Sequence, residues 1–356
     1  MNILFLSRGI DTMGGVEKFI TTLSNNWSEN NTIFIYSMYG DEKPAYELNE
    51  SITVFYPQLQ NEKRRWRKWF SIYTQLMNIV KNNGIELIIG ETIETSSVAA
   101  LVANRNGILS VGYEHYNYVE HKGKLEILRK YFYPKLSFFV PASPIEISSY
   151  EKYNCNVEFI ANPISLDIEN CYNPSSKKIL NIGRLDYVKG HEILIEAFNL
   201  VNKKYPDYSL TIVGKDFGEK EKLEKLVVSY NLQNNITFIE GTNRIKEFFR
   251  ESLFFVLPSR EEGFSMVMLE SMAMGVPILA TDCVGPSFLI KDGVNGFLSE
   301  KNNADKLAKK MIFILDNKDD LSKISKKQNE TASNYTMNNI SKTWNQCLAS
   351  FGVKID

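Results

Sequence analysis

Two glutamates, Glu262 and Glu270, stand eight residues apart in a stretch whose pattern reads as strand, polar turn and helix. At a rise of about 1.5 Å per residue, about 12 Å would separate them along a helix. Carboxylates that share acid–base hydrolysis stand roughly 5–9.5 Å apart, so this pair is better suited to accept hydrogen bonds from two ends of one extended, hydroxyl-rich ligand. The alternative is structural, with an acidic residue at a helix N-terminus and a solvated helix glutamate.

A second candidate site is a loop of glycine and basic residues in the second half of the chain. Gly183 and Arg184 follow a predicted strand, and Lys189 stands just before a predicted helix. Arginine supplies a planar fork, lysine a point charge and the helix N-terminus a partial positive charge, and together these suit a diphosphate. Gly214 ends the next predicted strand. The alternative is that the two cations are solvated loop charges.

The first half of the chain offers two further candidates. Gly14 and Gly15 lie between a predicted strand and a predicted helix, where paired glycines let backbone N–H groups approach an anionic ligand. Their spacing is not the G-x-G-x-x-G of nicotinamide-binding loops, and a plain tight turn is the alternative. His115 follows closely on a predicted strand end, the edge at which such sheets present ligands, although a lone histidine is more often structural.

The elements that would position these residues alternate between strand and helix. Residues 256–258, 264–274 and 276–280 predict a strand, a helix and a second strand, which is a βαβ unit. Repeated alternation of this kind predicts an α/β fold with mostly parallel, doubly wound sheets. Further strands are predicted over residues 2–7, 32–38, 52–56, 86–90, 108–112, 137–141, 157–160, 178–181, 210–214 and 236–240. The polar stretch 167–178 predicts a linker between two domains.

Length and composition limit the classes of protein. The chain has 356 residues, enough for two domains, and a net charge of -1, which gives no case for binding nucleic acid. Four cysteines without a C-x-x-C pair, and only three histidines, argue against a zinc site and favour a reducing compartment. The apolar start is too short for a signal peptide, and no run approaches the roughly 20 apolar residues of a membrane span. We therefore expect a cytoplasmic protein.

One segment combines basic and aromatic residues. It consists of Lys63, Arg64, Arg65, Trp66, Arg67, Lys68 and Trp69, with Phe70 beside it. Lysine and arginine attract anionic head groups, while tryptophan and phenylalanine partition into the membrane interface. This pattern predicts peripheral contact with the inner face of an anionic membrane, and a solvated basic helix face is the alternative.

The order of residues within these motifs points to a family. The run E-G-F-S-x-x-x-x-E-S-M-A-x-G-x-P-I-L-A-T-D, which begins at Glu262, resembles the signature of glycosyltransferase family 4, retaining enzymes of the GT-B fold. The resemblance covers nearly the whole chain and is strongest over residues 183–296, where G-R-L-x-x-x-K-G resembles the family's phosphate-binding motif. It implies two Rossmann-like, doubly wound domains facing a central cleft. Residues 1–163 would bind the acceptor, residues 164–336 the nucleotide-sugar, and a helix within residues 337–356 would cross back to the first domain.

The resemblance also implies roles for the candidate residues. Glu270 would bind the ribose hydroxyls, and Glu262, with the backbone of residues 263–265, the donor sugar. Arg184 and Lys189 would stabilise the departing diphosphate, a role that a divalent cation fills in other enzymes. The implied catalytic residues are Glu262, His115, Arg184 and Lys189. The implied donor-binding residues are Gly14, Gly15, Gly183, Arg184, Lys189, Gly214, Glu262, Gly263, Phe264, Ser265 and Glu270.

The function implied by the resemblance is transfer of a hexose or N-acetylhexosamine from a nucleotide-sugar to a glycan or lipid-linked acceptor. The setting would be bacterial capsule, exopolysaccharide or lipopolysaccharide synthesis. Retention of configuration follows from the family, and the missing D-x-D motif implies that no metal or other cofactor is needed. UDP is the expected nucleotide, with GDP open. A nucleotide-sugar 2-epimerase and a non-catalytic GT-B partner of a glycosyltransferase are the alternatives.

One position departs from the family pattern. Many members carry a glutamate in a G-x-x-E stretch shortly after the T-D pair, and Phe288 stands about where that residue would fall. The T-D-C-x-x-G-P form of this loop resembles a subgroup that builds bacterial surface polysaccharides and glycolipids. The departure weakens any claim about this loop's ligand, but it leaves the match of Glu262 and Glu270 to the family's E-x7-E element intact.

Overall fold

The structure is a computed structural model that describes residues 1–40, 43–57, 65–118 and 123–355. The chain divides into two compact units. Unit 1 comprises Met1–Pro163 together with Met337–Asp356, and unit 2 comprises Ile164–Thr336. Each unit is built around its own parallel sheet and is described by itself.

Unit 1 contains a six-stranded parallel sheet in the order β3-β2-β1-β4-β5-β6. Its strands are β1 (Asn2–Ser7), β2 (Thr32–Ser37), β3 (Thr53–Phe55), β4 (Leu87–Gly90), β5 (Leu109–Tyr113) and β6 (Phe138–Val140). Its helices are α1 (Gly15–Trp27), α2 (Arg65–Asn82), α3 (Ile93–Asn106), α4 (Lys124–Phe132), α5 (Ile147–Glu151) and, from the C-terminal segment, α13 (Met337–Ala349). The strand order reverses between β1 and β4, the point at which sheets of this kind bind ligands beyond their carboxyl ends.

The apolar segments of unit 1 form its buried core. Residues 3–6 of β1 are fully buried because helices cover both faces of the sheet, as expected of a central parallel strand. Trp27, at the end of α1, packs against Phe5 and against Trp344 of α13, with ring centroids 5.8 and 5.3 Å away. Trp344 is itself fully buried. The C-terminal helix is therefore part of the core of unit 1.

Unit 2 repeats the architecture with a sheet in the order β12-β11-β10-β7-β8-β9. Its strands are β7 (Lys178–Ile182), β8 (Ser209–Val213), β9 (Ile236–Ile239), β10 (Phe254–Leu257), β11 (Ile278–Thr281) and β12 (Phe297–Ser299). Its helices are α6 (His191–Lys204), α7 (Lys220–Ser229), α8 (Ile245–Glu251), α9 (Met266–Ala273), α10 (Val284–Leu289), α11 (Ala304–Asp316) and α12 (Leu321–Ala332). All the pairings in both sheets are parallel, so the predicted α/β fold with doubly wound parallel sheets is confirmed.

The structure corrects the sequence prediction in three places. The strand predicted over residues 157–160 is wrong: only Val157 forms a bridge, to Phe139 of the edge strand β6. The carbonyl of Ile160 accepts a hydrogen bond from the Tyr113 hydroxyl instead of extending the ladder. The short elements α10 and β12 lie in the stretch after Thr281 that the sequence analysis treated as loop.

Candidate functional site

The carboxyl ends of β7 and β8 meet through two glycines. A Cβ atom added to Gly214 would lie 1.9 Å from the carbonyl oxygen of Gly183, so only glycine allows this approach of the two backbones. Gly183 itself has room, because a Cβ atom there would meet only the Lys189 side chain, at 3.7 Å. The backbone at Gly183 is thus in close contact with Gly214, and its α-carbon faces the Lys189 side chain.

The two predicted phosphate-binding cations, Arg184 and Lys189, lie in the loop that follows β7. Arg184 forms an ion pair with Asp186, with Nη2 and Oδ2 3.0 Å apart, and its guanidinium lies 5.4 Å from the ring centroid of Phe217. Asp186 also accepts a hydrogen bond from the Lys189 backbone N–H at 3.1 Å, which caps a short 3-10 turn over Tyr187–Lys189. Gly190, with φ of +66°, links this turn to α6. Asp186 therefore positions both cations just before a helix N-terminus.

Glu262 joins the same cluster from the loop after β10. Its Oε2 lies 2.7 Å from the Lys189 Nζ and accepts a hydrogen bond from the Ser259 hydroxyl at 2.9 Å. The side chain is 9% exposed and lies before α9 rather than on it, so the helical separation assumed for the two glutamates does not apply. The structure brings the predicted sugar-binding carboxylate and the predicted phosphate-binding lysine into direct contact.

Glu270 lies in the middle of α9 and is 2% exposed. The Ser165 hydroxyl donates a hydrogen bond to its Oε1 at 2.6 Å. Glu270 is therefore not a solvated helix glutamate, and that alternative is excluded. Sequence analysis missed Ser165, whose only signal is its place just after Asn162-Pro163, where the first unit ends.

The backbone between the two glutamates is tightly packed. A Cβ atom added to Gly285 would lie 1.6 Å from the carbonyl oxygen of Gly263, so the start of α10 holds this loop by direct backbone contact. The Phe264 ring is largely buried, with its centroid 5.5 Å from that of Tyr335 and 6.3 Å from that of Phe288. Phe288, which stands where many family members carry glutamate, thus belongs to an aromatic cluster around the loop. Ser265 is buried at the N-cap of α9.

In unit 1, the glycine pair forms the start of α1. Gly14 is the N-cap residue and Gly15 the first residue of the helix. Glu17 accepts a hydrogen bond from the Thr12 hydroxyl at 2.9 Å, and a Cβ atom on Gly14 would lie 2.2 Å from its Oε2. Glu17, two residues after the glycine pair, therefore folds back over the glycine loop.

His115 lies two residues beyond β5 and is nearly buried. Its Nε2 is 2.8 Å from Oε2 of Glu91, which follows β4 directly. Its ring stacks on Tyr113 with centroids 4.4 Å apart and meets the edge of Phe19 at 4.7 Å. Glu91 is fully buried, and burial raises the pKa of its carboxyl group, while the contact with His115 opposes that rise. His115 is thus fixed by an acid that sequence analysis missed, and a carboxylate one residue past a strand end was the available signal.

The glutamate next to His115 in the chain has a different role. Glu114 is buried and accepts hydrogen bonds from Arg129 Nε at 2.9 Å, from the Tyr150 hydroxyl at 3.1 Å and from the Tyr133 hydroxyl. Burial, followed by the charge of Glu114, raises the pKa of Tyr133 well above its ordinary value. Glu114 therefore stabilises the core beneath β5, and the acid that contacts His115 comes from β4.

The basic and aromatic segment is described only in part. Lys63 and Arg64 lie outside the described residues, and for Arg65 and Trp66 the structure gives only their place at the start of α2. Arg67 and Lys68 are exposed, Phe70 is 64% exposed, and Trp69 packs partly buried against the core. Across the described part of the chain, no helix is both long and apolar enough to cross a membrane.

The predicted site residues therefore fall into two sets. Unit 2 brings together Gly183, Arg184, Lys189, Gly214 and Glu262, and it places Glu270 on α9 after the tightly packed loop 263–265. Unit 1 holds His115, fixed by Glu91, and the glycine pair of α1. Within the ranges that the structure describes, no three His, Cys, Asp or Glu side chains are grouped so as to hold a metal ion.

The chain is similar in sequence to glycosyltransferases. The family model for glycosyl transferases group 1 matches residues 169–331, nearly all of unit 2. The chain is 28% identical over 353 residues to an uncharacterized glycosyltransferase of Haemophilus influenzae, covering 97% of this chain and 99% of that protein. It is 22% identical over 361 residues to a Campylobacter jejuni enzyme named GalNAc-alpha-(1->4)-GalNAc-alpha-(1->3)-diNAcBac-PP-undecaprenol alpha-1,4-N-acetyl-D-galactosaminyltransferase, covering 98% of each.

The fold matches solved structures over its whole length. The crystal structure of Anabaena HepE in complex with UDP and glucose superposes with a TM-score of 0.80 at 19% identity, covering 98% of this chain and all of that one. The structural neighbours are GT-B glycosyltransferases, and the two parallel six-stranded sheets are of that fold.

Proposed function

We propose that this chain, a glycosyltransferase whose second unit matches the family model for glycosyl transferases group 1, transfers a hexose or N-acetylhexosamine from a nucleotide-sugar to a glycan or lipid-linked acceptor. The setting we propose is bacterial cell-surface polysaccharide synthesis, which the name of the Campylobacter relative supports through its undecaprenol-linked substrate. UDP is the proposed nucleotide, because the Anabaena neighbour was solved with UDP and glucose. Configuration at the transferred sugar is proposed to be retained.

The observation that carries the proposal is the cluster of Arg184, Lys189 and Glu262 in unit 2. Two cations placed before the N-terminus of α6 suit the diphosphate of a nucleotide-sugar. As the sugar leaves, negative charge grows on the diphosphate, and fixed positive groups that are already in place stabilise it. We propose that these two side chains perform this task without a metal ion or other cofactor.

The ion pair between Lys189 and Glu262 gives the site a defined resting state. The lysine ammonium neutralises a nearly buried carboxylate, which would be costly to leave unpaired. A diphosphate competes with that carboxylate for the ammonium, and sugar hydroxyls can then donate hydrogen bonds to Glu262. We propose that donor binding exchanges these partners, so that one event positions both groups.

Glu270 is proposed to bind the ribose hydroxyls. Its carboxylate is almost fully buried and is oriented by the Ser165 hydroxyl, so little conformational freedom is lost on binding. The backbone of residues 263–265, fixed by Gly285, is proposed to contact the donor sugar. The remaining donor contacts in the proposal are Gly14, Gly15, Gly183 and Gly214.

Unit 1 is proposed to bind the acceptor and to supply His115 to the reacting centre. The hydrogen bond to Glu91 fixes the tautomer and orientation of the imidazole, which a group contacting reacting atoms requires. We also propose that the protein works in the cytoplasm and that the exposed Arg67 and Lys68 permit peripheral contact with an anionic membrane. Binding to vesicles containing anionic lipid, lost when both are replaced by glutamine, tests this contact.

The function is tested by incubating the full chain with a panel of UDP- and GDP-sugars and a fraction of bacterial lipid-linked glycans. The expected result is sugar transfer and nucleotide release from one donor, unchanged by a chelator, with NMR of the product showing the anomeric configuration of the donor. Arg184→Ala and Lys189→Ala should each lower the rate sharply. Nucleotide binding without transfer would instead indicate a binding subunit, and release of a C2-epimeric sugar without an acceptor would indicate an epimerase.

A further inference from the structure

An apolar groove of about 700 Å³ lies on unit 1, where α2 and α4 both pack against α3. Its lining residues are mostly aromatic or aliphatic and come from these three helices. They include Trp69, Phe70, Tyr73, Leu101, Leu128 and Phe132. The volume falls within the range of about 300–1,000 Å³ that small-molecule sites occupy, and such sites are lined mainly by apolar side chains.

The groove leaves apolar groups accessible that packing could have covered. Phe70 is 64% exposed and Leu101 is 40% exposed, although both stand on helices whose other faces pack in the core. A contiguous exposed apolar patch with polar surroundings marks a binding site more often than scattered single residues do. Among the described residues that line the groove, Glu94 is the one that carries a charge, and its Oε2 lies 3.5 Å from the Arg8 Nε. The interior of the groove is therefore close to neutral.

The groove begins next to the candidate catalytic residues of unit 1. Glu94 stands in the first turn of α3, three residues after Glu91, the partner of His115. Leu101 lies two turns further along α3, away from the carboxyl edge of the sheet. The groove thus extends from the edge at which a parallel sheet presents ligands toward the outer surface of the unit.

Cations flank the groove. Arg8, at the carboxyl end of β1, is 62% exposed and stands at the Glu94 end. The Lys135 ammonium lies 5.3 Å from the ring centroid of the lining residue Phe132. Two further exposed lysines are near lining residues in the chain, since Lys68 precedes Trp69 on α2 and Lys130 stands two residues before Phe132 on α4. An apolar channel with cations at its mouth complements a molecule that joins a hydrocarbon chain to an anionic group.

We propose that this groove binds the hydrocarbon chain of a lipid diphosphate acceptor, with the diphosphate near Arg8. The inference rests on the proposed transferase function and specifies its acceptor: the sugar chain extends from the diphosphate toward His115 while the lipid lies along α3. Binding the chain in the groove removes the apolar surfaces of Phe70 and Leu101 from water. The groove therefore selects lipid-linked acceptors over free glycans.

Calorimetry with monomeric geranylgeranyl diphosphate and with inorganic diphosphate tests the proposal on the full chain. We expect the wild type to bind the lipid at least tenfold more tightly than inorganic diphosphate. Leu101→Asp, which places a charge in the groove, should remove that preference, and so should Leu101→Trp, which fills the groove without adding charge. Ile127→Asp is the matched control, because Ile127 is 68% exposed on α4 but does not line the groove. It should bind the lipid as the wild type does.

The outcomes separate this inference from the proposed function. UDP binding is measured in the same samples, and it should be unchanged in all three variants because neither Leu101 nor Ile127 is among the proposed donor contacts. Equal lipid affinity for wild type and both Leu101 variants would overturn the groove assignment. So would an equal loss in Ile127→Asp, which would indicate docking of a general apolar surface on a membrane. Failure of the wild type to bind UDP would count against the transferase proposal, whatever the lipid result.

Discussion

The carboxylate of Glu91 and the imidazole of His115 lie 2.8 Å apart, joining the ends of two adjacent strands of the unit 1 sheet. The imidazole is further fixed by rings on two sides, and Glu91 makes its contact from a fully buried position. A histidine held in this manner has one orientation available to it. Glu91 therefore holds His115 in place, and we propose that any effect of Glu91 on catalysis is exerted through His115.

This relationship predicts coupled effects on catalysis. Glu91→Gln should lower kcat by about 10- to 100-fold with little change in the donor KM, because neither Glu91 nor His115 is among the proposed donor contacts. His115→Gln should lower kcat further. If the two residues act as one unit, the double variant should be no slower than His115→Gln alone, and steady-state kinetics of the four proteins forms the cycle. If the fold-reductions in kcat of the two single variants instead multiply in the double variant, Glu91 acts independently of His115.

The Lys189–Glu262 pair predicts that stability and activity can be separated. Lys189→Met leaves a nearly buried carboxylate without its ammonium and should lower the free energy of unfolding by about 1–3 kcal/mol. Adding Glu262→Gln removes the uncompensated charge and should restore most of that stability. Transfer should remain about 100- to 1,000-fold slower in both variants, since the cation is missing in each. Urea unfolding and kcat measured on the same samples check this, and recovery of activity together with stability would contradict the assigned role of Lys189.

The two glycines at the ends of β7 and β8 predict opposite tolerance to alanine. Gly214→Ala would place its Cβ atom 1.9 Å from a backbone oxygen that cannot move without displacing the strand, so it should destabilise unit 2 by several kcal/mol. Gly183→Ala meets only the flexible Lys189 side chain, at 3.7 Å, and should fold normally. Thermal denaturation of the two variants is the comparison. Equal melting temperatures would show that the strand ends are not held by this contact.

His191 predicts a pH dependence of stability. Burial lowers its pKa in the folded protein to about 4, so the unfolded chain takes up a proton at pH values where the folded protein does not. Its contribution to stability is therefore present near pH 7 and is lost as the pH falls from about 6.5 toward 4. Between pH 7 and pH 5 this loss amounts to about 2 kcal/mol. Urea unfolding of wild type and His191→Phe at both pH values should show an acid-induced loss that is smaller in the variant by about that amount. Identical losses of stability in wild type and variant would show that His191 does not cause this pH dependence.

Much of the fold follows from local sequence patterns. The central strands are mainly apolar runs that are largely buried, and so β1, β4, β7 and β10 could be predicted to within a residue or two, although β7 also contains Lys178 and Asn181. The short strand β12 has three residues and follows a glycine, so its pattern does not differ from that of a loop. Residues 157–160 carry three apolar side chains and Glu158 but form only one bridge, because strand pairing depends on the neighbouring strand as well as on the segment itself.

The site residues could be found from the sequence, but their partners could not. Glycines and charged residues at strand ends mark the candidate positions, since the carboxyl edge of a parallel sheet is where ligands bind. Glu91 is 24 residues from His115, and Ser165 is 105 residues from Glu270. Such pairs arise only when the chain folds, and spacing therefore identifies Glu270 without revealing that it is buried. The burial of Glu114 was likewise not visible in the sequence. It stands next to the predicted site residue His115, but its own side chain packs in the core.

The most direct test of the account is the affinity of the chain for UDP, measured by calorimetry on wild type, Ser165→Ala and Glu270→Ala. A hydrogen bond to a charged group contributes about 1.5–3 kcal/mol, so Glu270→Ala should bind UDP roughly 10- to 150-fold more weakly. Ser165→Ala removes only the group that orients Glu270 and should weaken binding by about threefold. UDP affinity in Glu270→Ala equal to that of the wild type, or no UDP binding by the wild type, would contradict a nucleotide-sugar site in unit 2.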